Sequence, residues 1–418
     1  MTALAAGLAI LALGLHYVAR LGAFARGFRR TVGASPPAPA PGSEAAREIP
    51  TVTVIVAARN EEAVIGRCVD AILANDLRPT AFEVIVADDD SSDRTAEIVR
   101  QRQAAATPAL VPAGGAPPEP PPQAGGLGDG RVRLVHVPHD PARLRAHKKR
   151  AIETAVRHAR GEIVLTTDAD CVVPAAWVRT MAAAFRDRSV VFASGPVRYR
   201  VAGGLFARLQ ALDFLGLMAC GAGGIGIGRP NLANGACVAY RRDVFTRLGG
   251  FSGIDDVTSG DDELLMQKIA YGGASGEGLG PDAVVFVNRL EATVVTEPVT
   301  SFAQFLDQRK RWASKGTRYP AQLQAMLIGL VAFFLALLGV ALALPFAPGL
   351  WPWLLAGLGL KAAGDLAVLV PTTARFRQRP LLWAYPLYGP LHVVHTVVVG
   401  LIGPLSRGFE WKGRRLDR

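Results

Sequence analysis

The sequence predicts an α/β domain built on a mostly parallel sheet, anchored in a membrane at both ends of the chain. Three observations carry that expectation. Short β-branched strand patterns alternate with amphipathic helix patterns from Val52 to Cys171, the alternation that builds parallel sheets covered on both faces. Two of those strand patterns run into aspartates, Asp88-Asp89-Asp90 and Asp168-Ala169-Asp170, where ligands bind outside the carboxyl ends of the strands of an open α/β sheet. Apolar residues crowd the two ends of the chain, half of all residues are hydrophobic and the mean hydropathy is +0.25. That is a membrane protein's distribution.

The 418 residues allow two or three domains. The net charge is +11, and many of the arginines flank apolar runs. Juxtamembrane arginine suits the anionic cytoplasmic leaflet, so the charge reads as membrane-related. Without an interleaved basic and aromatic patch, nothing points to nucleic acid. Cys68, Cys171, Cys220 and Cys237 lie far apart with no CxxC pair. They suggest neither a zinc site nor a disulfide framework and fit a reducing compartment.

In chain order, the apolar run Thr2–Val18 is followed by Arg20, Arg26, Arg29 and Arg30. Ala23-Phe24-Ala25 resembles a signal-peptide cleavage site, but a positive n-region is missing and the arginines follow the apolar run. The reading is an uncleaved anchor over residues 1–20, amino terminus outside, then a basic and Pro/Ala-rich linker over 21–50. The soluble domain spans 51–320. Its strands are expected at Val52–Ala57, Glu83–Ala87, Val132–Val137 and Ile163–Thr167. A helix opens at Arg59-Asn60-Glu61-Glu62, and Ser91 or Ser92 caps the next one, with Asp93 at its positive end. Residues 103–129, with a PPEPPP tract, read as a disordered insertion. A basic helix starts near His147-Lys148-Lys149-Arg150. Neither GxGxxG nor GxxxxGK[ST] occurs where a dinucleotide site or P-loop would need it.

Asp168 and Asp170 end the fourth strand pattern. Like charges so close raise each other's pKa, a penalty that a bound Mg²⁺ or Mn²⁺ removes while bridging to substrate phosphates. A plain turn is the alternative for such a short motif. After the domain come three apolar segments, Met326–Phe346, Trp351–Val370 and Leu381–Pro404, within a membrane region over 321–405. Arg375–Arg379 is basic and Ala347–Leu350 uncharged. Four crossings from an outside amino terminus place the basic tail 406–418 outside, against the charge rule. Pro386, Pro390 and Pro404 permit a re-entrant hairpin that returns it. Both counts stand at this stage.

The runs VTVIVAARNEE, VIVADDDSSDRT and EIVLTTDADC resemble the start of the family 2 glycosyltransferases, whose fold is called GT-A. Asn234–Tyr240 with Gly249-Gly250-Phe251 is similar to the acceptor-side segment of that family, and Ser259–Leu265 stands where it carries its acidic base motif. Gln308-Arg309-Lys310-Arg311-Trp312 matches the QxxRW pattern of the membrane-integrated branch, and Trp411–Arg414 resembles a tail motif found there. The resemblance implies a GT-A domain followed by two to three transmembrane helices. It implies that Asp88 and Asp89 bind base and ribose, each with helix capping as its alternative, and that Asp168 and Asp170 hold the metal. Asp262 would be the general base, with Asp261 its competitor, and either residue could instead be a helix-terminal charge. Arg311 would neutralise the diphosphate and Trp312 stack near the acceptor, with Gln308 completing the donor side. An interfacial helix is the alternative for that segment. Lys148 and Lys149 would contact phosphate unless they lie on a solvated basic face.

The implied protein is an integral inner-membrane hexosyltransferase with a cytoplasmic catalytic domain. Its donor is a nucleoside-diphosphate sugar, UDP-linked by preference, and its acceptor a membrane lipid or growing glycan. Inversion at the sugar carbon is carried by the resemblance alone. Two rivals belong to other classes, a membrane nucleotidyltransferase and a non-catalytic membrane scaffold.

Overall fold

A computed structural model describes residues 2–106, 132–138, 146–273 and 276–402, with the backbone of 408–411 and 414–417. The proposed insertion lies outside these residues apart from its start, where Gln103 to Ala105 finish a helix. Lys412 and Gly413 of the tail motif also lie outside them.

The helices are α1 Thr2–Ala34, α2 Glu44–Arg47, α3 Ile65–Leu73, α4 Thr95–Ala105, α5 His147–His158, α6 Trp177–Ala183, α7 Leu205–Gly226, α8 Arg242–Arg247, α9 Glu263–Tyr271, α10 Phe302–Ala313, α11 Ala321–Ala343, α12 Trp351–Arg375 and α13 Tyr385–Ile402. The strands are β1 Val52–Ala58, β2 Phe82–Asp88, β3 Val132–His136, β4 Ile163–Asp168, β5 Phe192–Ser194, β6 Val197–Tyr199, β7 Val238–Arg241, β8 Gly272–Gly273, β9 Gly276–Glu277, β10 Val284–Phe286, β11 Val294–Thr296, β12 Gly408–Trp411 and β13 Arg414–Asp417.

A seven-stranded sheet in the order β10-β5-β7-β4-β1-β2-β3 forms the centre. Its strands are parallel except β7, which runs antiparallel to β4 and β5. The expected mostly parallel α/β sheet is therefore present. Val54, Ile55, Val84, Ile85, Val164 and Leu165 are buried from both faces, as continuous apolar strand runs require. Register brings Ala58 beside Asp88 and Ala57 beside Asp168. The two aspartate motifs thus flank the carboxyl end of β1.

Local chemistry differs from expectation at two turns. Asn60, with φ +52°, sits in a turn, and α3 begins only at Ile65. Neither Ser91 nor Ser92 caps α4: Arg94 stands at the N-cap without a side-chain bond, and the Asp93 carboxylate before it accepts the Thr95 N–H at 2.9 Å. The serines instead bind Asn60: Ser91 Oγ accepts its N–H and its Oδ1 accepts the Ser92 N–H.

Five helices among the described residues are long and apolar enough to cross a membrane: α1, α7, α11, α12 and the stretch ending in α13. The first is longer than the apolar run that announced it. It continues to Ala34 through the expected linker because Phe24, Ala25 and Phe28 are buried there, Ala25 and Phe28 in the core of the sheet domain. Asn288, fully buried just after β10, then ties the domain to two helix ends: it bonds Thr31 and Ser35 near the end of α1, and Arg375 at the end of α12. Both ends therefore emerge on the domain's side.

α7 had no forerunner among the expected membrane segments. It leaves β6 and returns to β7, and both strands belong to the domain. A helix whose two ends meet the same domain cannot carry the chain across a bilayer. It packs against α1. The contact is a backbone-to-backbone one, since a β-carbon on Gly27 would overlap the Gly223 carbonyl and one on Gly223 would overlap Phe24. Small residues permit such close crossings.

α13 behaves alike. It starts a few residues after α12 ends on the domain side, its His395 ring lies 5.0 Å from that of Phe305 on α10, and β12 beyond it packs on α10. β12, in the described part of the tail, thus lies beside α10 of the domain.

Two measurements check this arrangement. Gly223→Leu overpacks the α1–α7 crossing and costs about 3 kcal/mol or more, read as a lowered Tm; Gly33→Ala, with open space around it, leaves Tm unchanged or slightly raised. A reporter Asp417→Cys reacts with an impermeant maleimide from the side of the catalytic domain, whereas Ala347→Cys, between α11 and α12, reacts from the other.

Candidate active site

β4 delivers Asp168 to the carboxyl edge of the sheet, and Asp170 follows one residue later. Carboxylate oxygens of Asp168 and Asp170 and the Cys171 sulfur all lie within 4.8 Å of one another. Asp170 is exposed and Asp168 partly so, whereas Cys171 is buried. Burial, with the Asp168 and Asp170 carboxylates beside it, pushes the Cys171 thiol well above its ordinary range. The buried sulfur is set back from solvent, so the accessible donor set is two hard carboxylates, which suits Mg²⁺ or Mn²⁺.

Lys148, in the first turn of α5, joins this edge to a second acidic pair. Its Nζ lies 2.8 Å from Asp168 Oδ1 and 2.9 Å from Asp261 Oδ2. Burial alone would lower the lysine's pKa, but Asp168 and Asp261 hold it above the ordinary value. Burial likewise raises the Asp261 carboxyl, yet Lys148, with Lys149 and Lys315 behind it, keeps it below the usual carboxylate range. Asp262 is differently held. It caps α9, with Oδ1 accepting the Glu263 N–H and Oδ2 the Gly235 N–H, both at 2.7 Å. A β-carbon on Gly235 would stand 3.0 Å from Lys148 Nζ, 3.1 Å from Asp261 Oδ2 and 3.4 Å from Asp262 Oδ2. Gly235 is therefore the point where the three side chains converge.

Lys149 points elsewhere, as adjacent helical residues do. It is buried, and its ammonium donates to the carbonyls of Ile254 (2.5 Å), Val257 (2.9 Å) and Ser259 (2.8 Å). The loop leading into Asp261 is thus wrapped around one cation. Burial pushes that lysine down to about 8. Lys315 closes the far side, 2.9 Å from Glu263 and 3.9 Å from Asp262.

α10 begins with a capping box between Ser301 and Gln304. Gln308 accepts a hydrogen bond from the Tyr199 hydroxyl at 3.4 Å. Burial lowers the Arg311 guanidinium's pKa, and the carboxylates of Asp168, Asp261 and Asp262 partly offset that. Trp312 packs inward, 6.0 Å from Phe214 and 4.2 Å from the Arg309 guanidinium.

The second aspartate motif is largely engaged within the protein. Asp88 and Asp89 are both buried. Asp88 accepts the Ser91 N–H at 3.3 Å and faces His136 at 3.2 Å. Asp89 pairs with Arg150 at 2.7 Å and His147 at 3.3 Å, which together override the upward push of burial on its carboxyl. Gathered at the cleft are Lys148, Asp168, Asp170, Asp261, Asp262 and, within their field, Arg311. Gly235 belongs to the segment read as acceptor-side and Lys149 to the basic pair read as a phosphate contact, whereas Lys315 and Tyr199 had no motif that announced them.

The sheet and this cleft define a glycosyltransferase of the GT-A fold. The chain belongs to glycosyl transferase family 21, whose family model matches residues 133–417, while that of glycosyl transferase family 2 matches residues 53–111. Among curated proteins none matches. Among solved structures, the mannosyltransferase PcManGT from Pyrobaculum calidifontis in complex with GDP-Man and Mn²⁺ aligns over 95% of this chain and 99% of its own, with a TM-score of 0.54 and 22% identity. Glucosyl-3-phosphoglycerate synthase from Mycobacterium tuberculosis in complex with Mn²⁺, UDP and glucosyl-3-phosphoglycerate aligns over 68% and 85%, at 0.42 and 20% identity. S. aureus TarS in complex with UDP aligns over 88% and 96%, at 0.39 and 14%.

Gly235→Ala displaces the lysine and both acids without unsatisfying a buried group. Its kcat should fall roughly ten- to hundredfold at nearly unchanged Tm. Lys149→Met strands three carbonyls at about 1–3 kcal/mol each, so there Tm and turnover should fall together.

Proposed function

We propose that this chain transfers a hexosyl group from a nucleoside-diphosphate sugar, UDP-linked by preference, to a hydroxyl of a lipid or glycan held at the membrane. The observation that carries the reading is the convergence of Lys148, Asp261 and Asp262 around Gly235, with Asp168 at the carboxyl edge of the sheet paired to the same lysine. Asp168 and Asp170 would hold the divalent cation, which when bound supplies Lewis-acid stabilisation of the departing nucleoside diphosphate. GDP-Man with Mn²⁺ in the mannosyltransferase and UDP with Mn²⁺ in the synthase are consistent with both donor class and metal.

Asp262 serves as the general base. Two backbone amides fix its carboxylate, and its remaining lone pairs can accept the acceptor's proton. Asp261 is engaged otherwise, its carboxylate held 2.9 Å from the Lys148 ammonium. It keeps Lys148 aimed at the phosphates instead. Arg311 adds positive charge where the diphosphate charge grows. Attack by the acceptor oxygen on the sugar carbon opposite the leaving phosphate gives inversion. Asp88 and Asp89 support the nucleoside end through the loop they order, Asp88 by way of the half-exposed His136. The side of the membrane follows from charge: Arg20, Arg26, Arg29, Arg30, Arg377 and Arg379 flank the crossing helices on the domain's side, which is thereby cytoplasmic, at the inner membrane.

The test is nucleoside-diphosphate release by the purified full chain in detergent with membrane lipid extract, across UDP- and GDP-sugars, with and without Mn²⁺. Metal-dependent release from one donor is expected, with Asp170→Asn and Asp262→Asn each lowering turnover at least about a hundredfold. Asp261→Asn should lose less. Release of pyrophosphate in place of a nucleoside diphosphate, or full activity in Asp262→Asn, would overturn the reading.

A further inference from the structure

Charges buried among apolar helices are costly and are retained where they do a job. This protein carries a chain of them. The Tyr17 hydroxyl on α1 donates to Asp365 on α12, which also pairs with Lys361 and accepts from Tyr385 at 3.0 Å. Lys361 lies 3.4 Å from His392 on α13, and His392 lies 3.8 Å from Asp213 on α7. Tyr388 donates to Asp213 at 3.2 Å. The chain ends at Arg309 on α10, whose guanidinium sits 2.7 Å from Asp213 and is sandwiched between the Phe305 and Trp312 rings at 4.8 and 4.2 Å. Asp213 and Arg309 are each less than a tenth exposed.

α10 presents two faces, because residues three or four apart share one. Phe305, Arg309 and Trp312 form the face turned to the membrane helices. Gln308 and Arg311 form another, turned to Tyr199 and to the field of Asp168, Asp261 and Asp262. Holding the first face fixes the rotation of the helix and so delivers the second.

We propose that Asp213 and Arg309 are positioning residues for the transfer: their ion pair locks α10 to the membrane polar chain and thereby sets Gln308 and Arg311 against the donor's diphosphate. This rests on the reading of the cleft given above. The pair touches no reacting atom. Its loss releases the orientation of Arg311, which matters most where charge develops, so turnover suffers more than donor binding.

The experiment uses the full-length protein in nanodiscs, with kcat, donor KM and Tm measured for each variant. Asp213→Asn keeps the shape and Arg309→Lys the charge; each is expected to lower kcat about tenfold or more with donor KM within about threefold, and the double variant to lose no more than the worse single. Tyr388→Phe, which deletes one hydroxyl donor to Asp213, is expected to lower kcat about two- to fivefold at unchanged Tm, so the proposal is still tested if the charge variants fold poorly. Additive losses, an unchanged kcat, or a kcat that only follows Tm overturns it. Arg311→Ala separates the two readings. If it leaves turnover intact, the assignment of α10 to the donor fails; if it abolishes turnover while Asp213→Asn and Tyr388→Phe do not, the tether alone fails.

Discussion

Two carboxylates cannot face one another across a narrow cleft without a cation between them, and in this protein Lys148 is that cation. It stands between Asp168, at the end of a central strand, and Asp261, on the loop before α9. The two acids come from parts of the chain more than ninety residues apart. Much of the remaining architecture serves to bring them within reach of one ammonium. β1 and β4 set the height of Asp168, the antiparallel β7 brings Gly235 under the lysine, and Lys149 gathers the loop that carries Asp261. Neutralisation by a side chain on a rigid helix costs no mobile ion and keeps the cleft compact.

The sheet was legible because its central strands are buried on both faces and so read as unbroken β-branched runs. Their ends fell within a residue or two of expectation, and the aspartates at those ends marked the working edge. What could not be read was direction around a helix. Lys148 and Lys149 are neighbours in sequence with opposite fates, one in the cleft and the other under a loop. Gln308, Arg309, Arg311 and Trp312 form one motif, yet only Gln308 and Arg311 turn toward the cleft. Asp88 and Asp89 looked like ligand residues but are paired largely with protein groups, because the basic residues that meet them, His136, His147 and Arg150, come from elsewhere in the chain.

Four of the five long apolar helices among the described residues were legible in the sequence, and their geometry was not. Hydropathy counts apolar residues but is blind to where the chain goes next. α7 escaped notice because it lies inside the stretch assigned to the soluble domain, although Asp213 in the middle of an apolar run was a signal of its own. Lys361 and Asp365, four residues apart in another such run, were a second. That β6 and β7 belong to one domain brings both ends of α7 back to it, which hydropathy alone could not show.

The unbroken run of α1 has a mechanical consequence. Thirty-three residues of helix measure about 50 Å, more than the thickness of a bilayer core, and the excess is embedded in the catalytic domain at Phe28, Thr31 and Ser35. The domain is therefore carried on a strut and not on a leash. It cannot tumble independently of that helix: a catalytic domain mounted this way keeps its cleft at a set distance from the apolar part of α1.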